Sequence, residues 1–150
     1  MTTKDILTNH PATKDNILMI LHEIQNNNTD NRINENDIKE VASFLNTTYA
    51  EVYGVITYYS MLSVKPRGKY IIRLCKSPMC RMLGATDLLE FMERELKIEA
   101  GEITPDNLFT IETTECLGEC DKSPVLMINE DLYTNLDATK IKTIIDKYRK

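Results

Sequence analysis

Four cysteines arranged as two close pairs constrain this chain more than any other feature of its sequence. They read Cys75-x4-Cys80 and Cys116-x3-Cys120, and none occurs in the first 74 of the 150 residues. Each pair comes directly after a segment of β-strand character, so we expect both pairs to lie in loops. Loops that follow neighbouring strands of one sheet can lie side by side. The spacing therefore predicts that four thiols meet at one edge of a small sheet.

A four-sulfur site of this kind has three chemical interpretations. Structural zinc ribbons usually use Cys-x2-Cys knuckles, whereas spacings of four and three residues make wider loops that suit ligands spread over two iron atoms. Four thiolates are also the usual ligand set of a [2Fe–2S] cluster. We therefore favour an iron–sulfur cluster, and the spacing leaves zinc and redox-active disulfides open as alternatives.

Composition and charge argue against several other classes of protein. The net charge is −5 and the isoelectric point is near 5.1, whereas binding to nucleic acid needs a basic surface. No segment approaches the roughly 20 apolar residues that span a bilayer, and the first residues lack the apolar core of a signal peptide. We expect a cytoplasmic protein without membrane insertion. Thiols stay reduced in that compartment, which favours metal or redox chemistry for the four cysteines.

The apolar pattern divides the chain into a helical first part, residues 1–66, and an α/β second part, residues 67–150. We expect residues 1–12 to be a short mobile leader. Three amphipathic helices should follow, beginning near Thr13, Asn34 and Thr48. The second part has the order β-α-β-β-α, with strands predicted over residues 69–75, 107–113 and 124–128 and near residue 132, and helices over residues 83–97 and from 137. This order indicates a thioredoxin-like sheet with flanking helices.

The second cysteine pair lies in a motif that resembles one of a known family. Residues 115–120 read ECLGEC, followed by Ser123-Pro124 and by Met127-Ile128-Asn129. Upstream, residues 52–60 read VYGVITYYS. Over roughly residues 13–150 the sequence resembles the small thioredoxin-like [2Fe–2S] subunits of NADH-oxidising complexes. It departs from them between the first two cysteines, where Pro78 removes one backbone N–H that could have pointed at sulfur.

The resemblance implies a non-catalytic electron carrier with one [2Fe–2S] cluster on Cys75, Cys80, Cys116 and Cys120. FMN and NAD(H) would be bound by a flavoprotein partner, because this chain has no GxGxxG fingerprint. Further iron–sulfur or hydrogenase subunits would complete the assembly. We expect a soluble NAD-linked hydrogenase, including the electron-bifurcating type. The alternatives are the peripheral arm of complex I, an NAD-dependent formate dehydrogenase and, from a different class, a zinc-stabilised adaptor.

The third predicted helix and the residues after it are rich in aromatic side chains and methionine. Such residues often anchor protein interfaces, but they also pack within a fold. The sequence leaves both interpretations open for this group, which consists of Tyr49, Tyr53, Tyr58, Tyr59 and Met61. A helix-turn-helix that reads DNA is disfavoured here, because residues 48–62 contain neither lysine nor arginine.

Overall fold

The computed structural model describes residues 2–149, which form two compact units divided between Pro66 and Arg67. Each unit has its own cluster of buried apolar side chains. Within the described residues, no helix is both long enough and apolar enough to span a membrane.

The first unit consists of four α-helices. They are α1 (Thr3–Thr8), α2 (Ile17–Asn27), α3 (Glu35–Phe44) and α4 (Tyr49–Tyr58). The start of α3 carries a capping box, in which Asn34 accepts from the backbone of Asp37 and the Asp37 carboxylate accepts from the backbone of Asn34. The apolar stripes of the helices face one another and form the core, which includes Ile20, Leu21, Ile24, Ile38, Val41, Val52 and Ile56.

The prediction of a mobile leader over residues 1–12 is wrong. Helix α1 begins after a capping box formed by Thr2 and Asp5, and its residues Ile6 and Leu7 are buried. A helix of six residues is too short to show a helical period in the sequence. Its stability comes from packing, since short helices are marginal on their own.

The second unit is an α/β fold. Its elements are β1 (Tyr70–Cys75), α5 (Pro78–Met82), α6 (Ala85–Leu96), β2 (Phe109–Thr114), β3 (Leu126–Ile128), β4 (Asp131–Tyr133) and α7 (Ala138–Tyr148). The sheet has the order β2-β1-β3-β4, in which β1 and β2 are parallel and the other neighbours are antiparallel. The four predicted strands and the two predicted helices are all present, but the observed order is β-α-α-β-β-β-α: the predicted order β-α-β-β-α omits one of the strands, and the short helix α5 is an addition.

The core of the second unit joins one face of the sheet to α6 and α7. It includes Ile72, Leu74, Leu88, Met92, Phe109, Ile111, Leu126, Ile128, Ile141 and Ile145. The register of the parallel pair runs from Tyr70 opposite Phe109 to Cys75 opposite Thr114. Strands β1 and β2 therefore end together at one edge of the sheet, and both cysteine pairs follow from that edge.

Candidate cofactor site at the edge of the sheet

The first cysteine pair lies at the end of β1 and in α5. Cys75 is the last residue of β1 and Cys80 lies within α5, and both are buried. The expectation that this pair lies in a loop is therefore wrong. Pro78 is tolerated because it occupies the first turn of α5, where a backbone N–H would have no partner within the helix.

The second pair lies in an exposed loop beyond β2. Cys116 follows the end of β2 by two residues, and Cys120 begins a 3-10 turn over Cys120–Lys122. The two Sγ atoms are 3.3 Å apart. Between them, Gly118 has a φ of +91°, a conformation that strains any residue with a Cβ, and its N–H donates to Cys116 Sγ at 3.4 Å. The glycine thus turns a backbone donor toward sulfur.

The two pairs adjoin each other through several contacts. The backbone of Leu117, in the second loop, helps to lower the pKa of Cys75. Ser123 Oγ, which also follows the second pair, is 3.3 Å from Cys80 Sγ. An ion pair links the loops at the surface, where Lys76 Nζ is 3.1 Å from Glu115 Oε1. The structure therefore places the two cysteine pairs next to each other where β1 and β2 end.

The thiols influence one another electrostatically. Burial raises the pKa of Cys75, but hydrogen bonds from the Ser77 hydroxyl and backbone, and from Cys80 and Leu117, outweigh it and leave that pKa below the ordinary thiol value. The pKa of Cys120 is raised, first by its hydrogen bond with Cys116 and then by the negative charge of that thiolate, with further repulsion from Cys80 and Cys75. A cationic group between the sulfurs would favour their thiolate forms and offset this repulsion.

The donor set fits a cluster with two irons. All four cysteines are free thiols, and they form two pairs, as two irons with two thiolates each require. Across residues 2–149, no three histidine, cysteine or carboxylate side chains form a group able to hold a metal ion. Two pairs of sulfurs are the arrangement that this edge of the sheet presents.

Surface charges near the site are mostly paired with each other. Besides the Lys76 pair, Lys122 Nζ lies 2.5 Å from Glu119 Oε2. Both glutamates are in ion pairs with lysines, and exposed pairs of this kind contribute little energy. Hydrogen bonds to the sulfurs therefore contribute more to the electrostatic environment of the site than these exposed ion pairs do.

Two serines at the site were not predicted to have a role. Ser77 Oγ is 3.2 Å from Cys75 Sγ, and Ser123 Oγ contacts Cys80 Sγ as described above. Ser77 follows its cysteine by two residues, a spacing that could have indicated the contact. No such signal existed for Ser123, because it is 43 positions away from Cys80.

In the first unit, α4 and the residues directly after it carry exposed aromatic and methionine side chains, Tyr49, Tyr53, Tyr58, Tyr59 and Met61, which we term the tyrosine face. The rings of Tyr49 and Tyr53 stack at a centroid distance of 6.1 Å, and those of Tyr58 and Tyr59 meet edge to face at 5.1 Å. Tyr58 is 81% exposed, and the other three tyrosines and Met61 are about half exposed. The face is therefore accessible in the isolated chain.

Comparison with known proteins identifies the family. The profile of the thioredoxin-like [2Fe–2S] ferredoxins matches residues 3–149. The chain belongs to the thioredoxin-like [2Fe–2S] ferredoxin family. The predicted resemblance, the fold class and the cofactor, one [2Fe–2S] cluster, are thereby confirmed. Members of the family include electron-transfer subunits, as the relatives below illustrate.

Relatives within this family come from two kinds of complex. A subunit of the NADH-quinone oxidoreductase of Aquifex aeolicus (strain VF5) is 36% identical over 138 residues, which are 92% of this chain and 85% of that protein. The HndA subunit of the NADP-reducing hydrogenase of Solidesulfovibrio fructosivorans is 35% identical over 108 residues, 72% of this chain and 63% of that protein. An NADH-quinone oxidoreductase subunit from Rickettsia typhi (strain ATCC VR-144 / Wilmington) is 39% identical over 74% of this chain and 65% of that protein.

A solved structure shares the fold of this ferredoxin over nearly its whole length. It is a chain of an NAD+-reducing [NiFe]-hydrogenase in the air-oxidised state, with a TM-score of 0.79 and 21% sequence identity. The match covers 92% of the present chain but only 23% of the hydrogenase chain. The match therefore includes residues of both units.

Proposed function

We propose that this ferredoxin is an electron-transfer subunit of an NAD(H)-linked oxidoreductase, with its cluster bound by Cys75, Cys80, Cys116 and Cys120. The observation that carries the proposal is the meeting of two cysteine pairs where the parallel strands β1 and β2 end. When bound, the cluster accepts and releases single electrons. The buried pair would anchor it to the fold, and the exposed pair would bring it close to the protein surface.

The partner in this proposal is a flavoprotein that binds NADH, and the tyrosine face is its docking surface. Exposed aromatic and methionine side chains suit the centre of an interface, because they bury much area at little cost in conformational entropy. Co-purification of the two proteins tests this surface. We expect the double variant Tyr53→Ala and Tyr59→Ala to lose the partner, and Met19→Ala, on another exposed helix, to retain it. Undiminished association of the double variant would contradict the docking proposal.

Among possible assemblies we propose a soluble NAD-linked hydrogenase of the cytoplasm. The relative from the NADP-reducing hydrogenase and the fold shared with the NAD+-reducing enzyme support this choice. The second candidate is a peripheral component of NADH:quinone oxidoreductase, supported by the longer match to the Aquifex protein. Purification of the native complex separates the two: NADH production from hydrogen indicates the hydrogenase, and quinone reduction by NADH indicates the oxidoreductase.

Anaerobic purification tests the ligand assignment directly. We expect two irons and two sulfides per chain, visible colour, and a paramagnetic signal after reduction with dithionite. Replacing any one of the four cysteines by serine should reduce the iron content or alter the spectrum. Met82→Leu, which changes an exposed side chain two residues beyond Cys80, is the matched control. A full cluster with an unaltered spectrum in Cys116→Ser would refute the assignment.

A further inference from the structure

Ser77 occupies the N-cap position of α5 but does not cap the helix. A serine at this position usually accepts a hydrogen bond from a backbone N–H in the first turn. The backbone of Ser77 has the usual extended conformation, with φ of −61° and ψ of 157°, yet its side chain makes no capping hydrogen bond. Its Oγ lies instead 3.2 Å from Cys75 Sγ. The hydroxyl is therefore directed to a sulfur rather than to the helix.

The direction of this hydrogen bond follows from the ligand assignment. A thiolate that binds iron carries no hydrogen, so only the Ser77 hydroxyl can donate. Cys75 is 1% exposed, and a hydrogen bond to a charged acceptor is stronger where water is excluded. Reduction adds one negative charge, which the cluster and its sulfurs share. A donor at sulfur stabilises the reduced state more than the oxidised one and so raises the reduction potential.

The second hydroxyl at the site is less well placed for the same role. Ser123 Oγ is 3.3 Å from Cys80 Sγ, but it also donates to the backbone carbonyl of Cys120 at 2.9 Å. A hydroxyl has one hydrogen, so these two acceptors compete for it. Among the described residues, the Ser77 hydroxyl makes its hydrogen bond to Cys75 alone. Ser77 is therefore the stronger of the two donors to sulfur.

We propose that Ser77 is a positioning residue that acts through Cys75 and raises the reduction potential of the cluster, with a smaller contribution from Ser123. The inference rests on the proposed assignment of Cys75 and Cys80 as ligands. In the step that it affects, one electron arrives from the reductant and no covalent bond forms or breaks. Ser77 keeps its proton on oxygen throughout.

The experiment is a potentiometric titration of the full-length protein, after iron and sulfide have been measured. For Ser77→Ala we expect a full cluster and an equilibrium constant for reduction that is about tenfold lower, which is 59 mV for a one-electron couple. Ser77→Thr, which keeps the hydroxyl, should restore the wild-type potential. Ser123→Ala should shift the potential by less than Ser77→Ala. Ser43→Ala, at an exposed position of α3, is the control and should not shift it.

A structural role would give different results. Because Ser77 does not cap α5, Ser77→Ala should leave the thermal midpoint of the iron-free protein unchanged. A full cluster with the wild-type potential in Ser77→Ala would overturn the inference, and so would loss of the cluster or an equal shift in Ser123→Ala. If wild-type protein itself contains no iron and sulfide, the proposed function fails first. The metal analysis thus distinguishes the failure of one proposal from that of the other.

Discussion

Gly68 lies where the backbones of β1 and β2 begin to pair, and it leaves no room for a side chain. Its N–H donates to the buried hydroxyl of Thr110 at 2.8 Å. A Cβ at this position would lie 2.7 Å from the Phe109 carbonyl carbon, 2.8 Å from the Phe109 nitrogen and 2.9 Å from the Leu108 carbonyl carbon. All three are backbone atoms, so no side chain can rotate away. Gly68→Ala must therefore push the two strands apart.

The size of the effect follows from these distances. Ordinary contact begins at 3.4 Å, so the strands must separate by up to 0.7 Å at this point. The neighbouring hydrogen bonds, from Lys69 N to Asn107 O at 3.0 Å and from Tyr70 N to Leu108 O at 2.8 Å, would then exceed normal length. Overpacking costs about 1–3 kcal/mol, and each weakened hydrogen bond adds about 0.5–1.5 kcal/mol. We expect the free energy of unfolding to fall by about 3 kcal/mol.

Urea unfolding of the cluster-loaded protein under anaerobic conditions measures this loss. Visible absorption reports on the second unit alone, because that unit carries the four cysteines. With a slope of about 2 kcal/mol per molar urea, the midpoint should fall by roughly 1.5 M. Gly54→Ala is the control: no atom lies within 4 Å of its Cβ position in α4, and alanine there should stabilise the first unit by about 0.5–1 kcal/mol. An unchanged visible midpoint in Gly68→Ala would refute the steric argument.

Three further variants test other parts of the structure. Asp37 is buried and accepts hydrogen bonds from Thr3 Oγ1 and Asn28 Nδ2 at 2.6 and 2.9 Å. Asp37→Ala should therefore destabilise the first unit by about 3 kcal/mol, measured by urea unfolding followed by circular dichroism. A loss below about 1 kcal/mol would contradict this prediction. Met92 is fully buried in the second unit, so Met92→Ala should leave a cavity and lower the free energy of unfolding of that unit by about 2–5 kcal/mol. An unchanged midpoint in urea unfolding would contradict this prediction. In iron-free protein, the raised pKa of Cys120 leaves less thiolate at a given pH, so iodoacetamide should alkylate Cys120 slowly at about pH 8.5. Alkylation of Cys120 should be faster in Cys116→Ser, and equal rates in the two proteins would contradict the influence of Cys116 on the pKa of Cys120.

Much of the fold could be predicted because its elements have clear periods. The β-like composition of β1, the alternation of residues 107–113 and the apolar stripes of α2, α3 and α6 each indicate their own structure without reference to the rest of the chain. The short helices α1 and α5 were missed because neither has enough residues to show a period. Helix α1 is held by the burial of Ile6 and Leu7, which is a tertiary effect.

The candidate site was predictable to the level of its four thiols but not to that of its hydrogen bonds. The spacing of the cysteines and the ends of two strands were sufficient to bring the pairs together. The contact between Ser123 and Cys80 depends on how the chain returns after β2, which no local pattern encodes. Ser77 could have been noticed from its spacing to Cys75, but a serine before proline equally indicates an ordinary helix start.

The parallel pairing of β1 with β2 has a consequence for how proteins of this type can diverge. Six consecutive residue pairs, ending with Cys75 opposite Thr114, fix the separation of the two strand ends that carry the cysteine pairs. That separation does not depend on the number of residues that connect α6 to β2. Insertions or deletions in this connection can therefore accumulate while the cofactor site keeps its geometry.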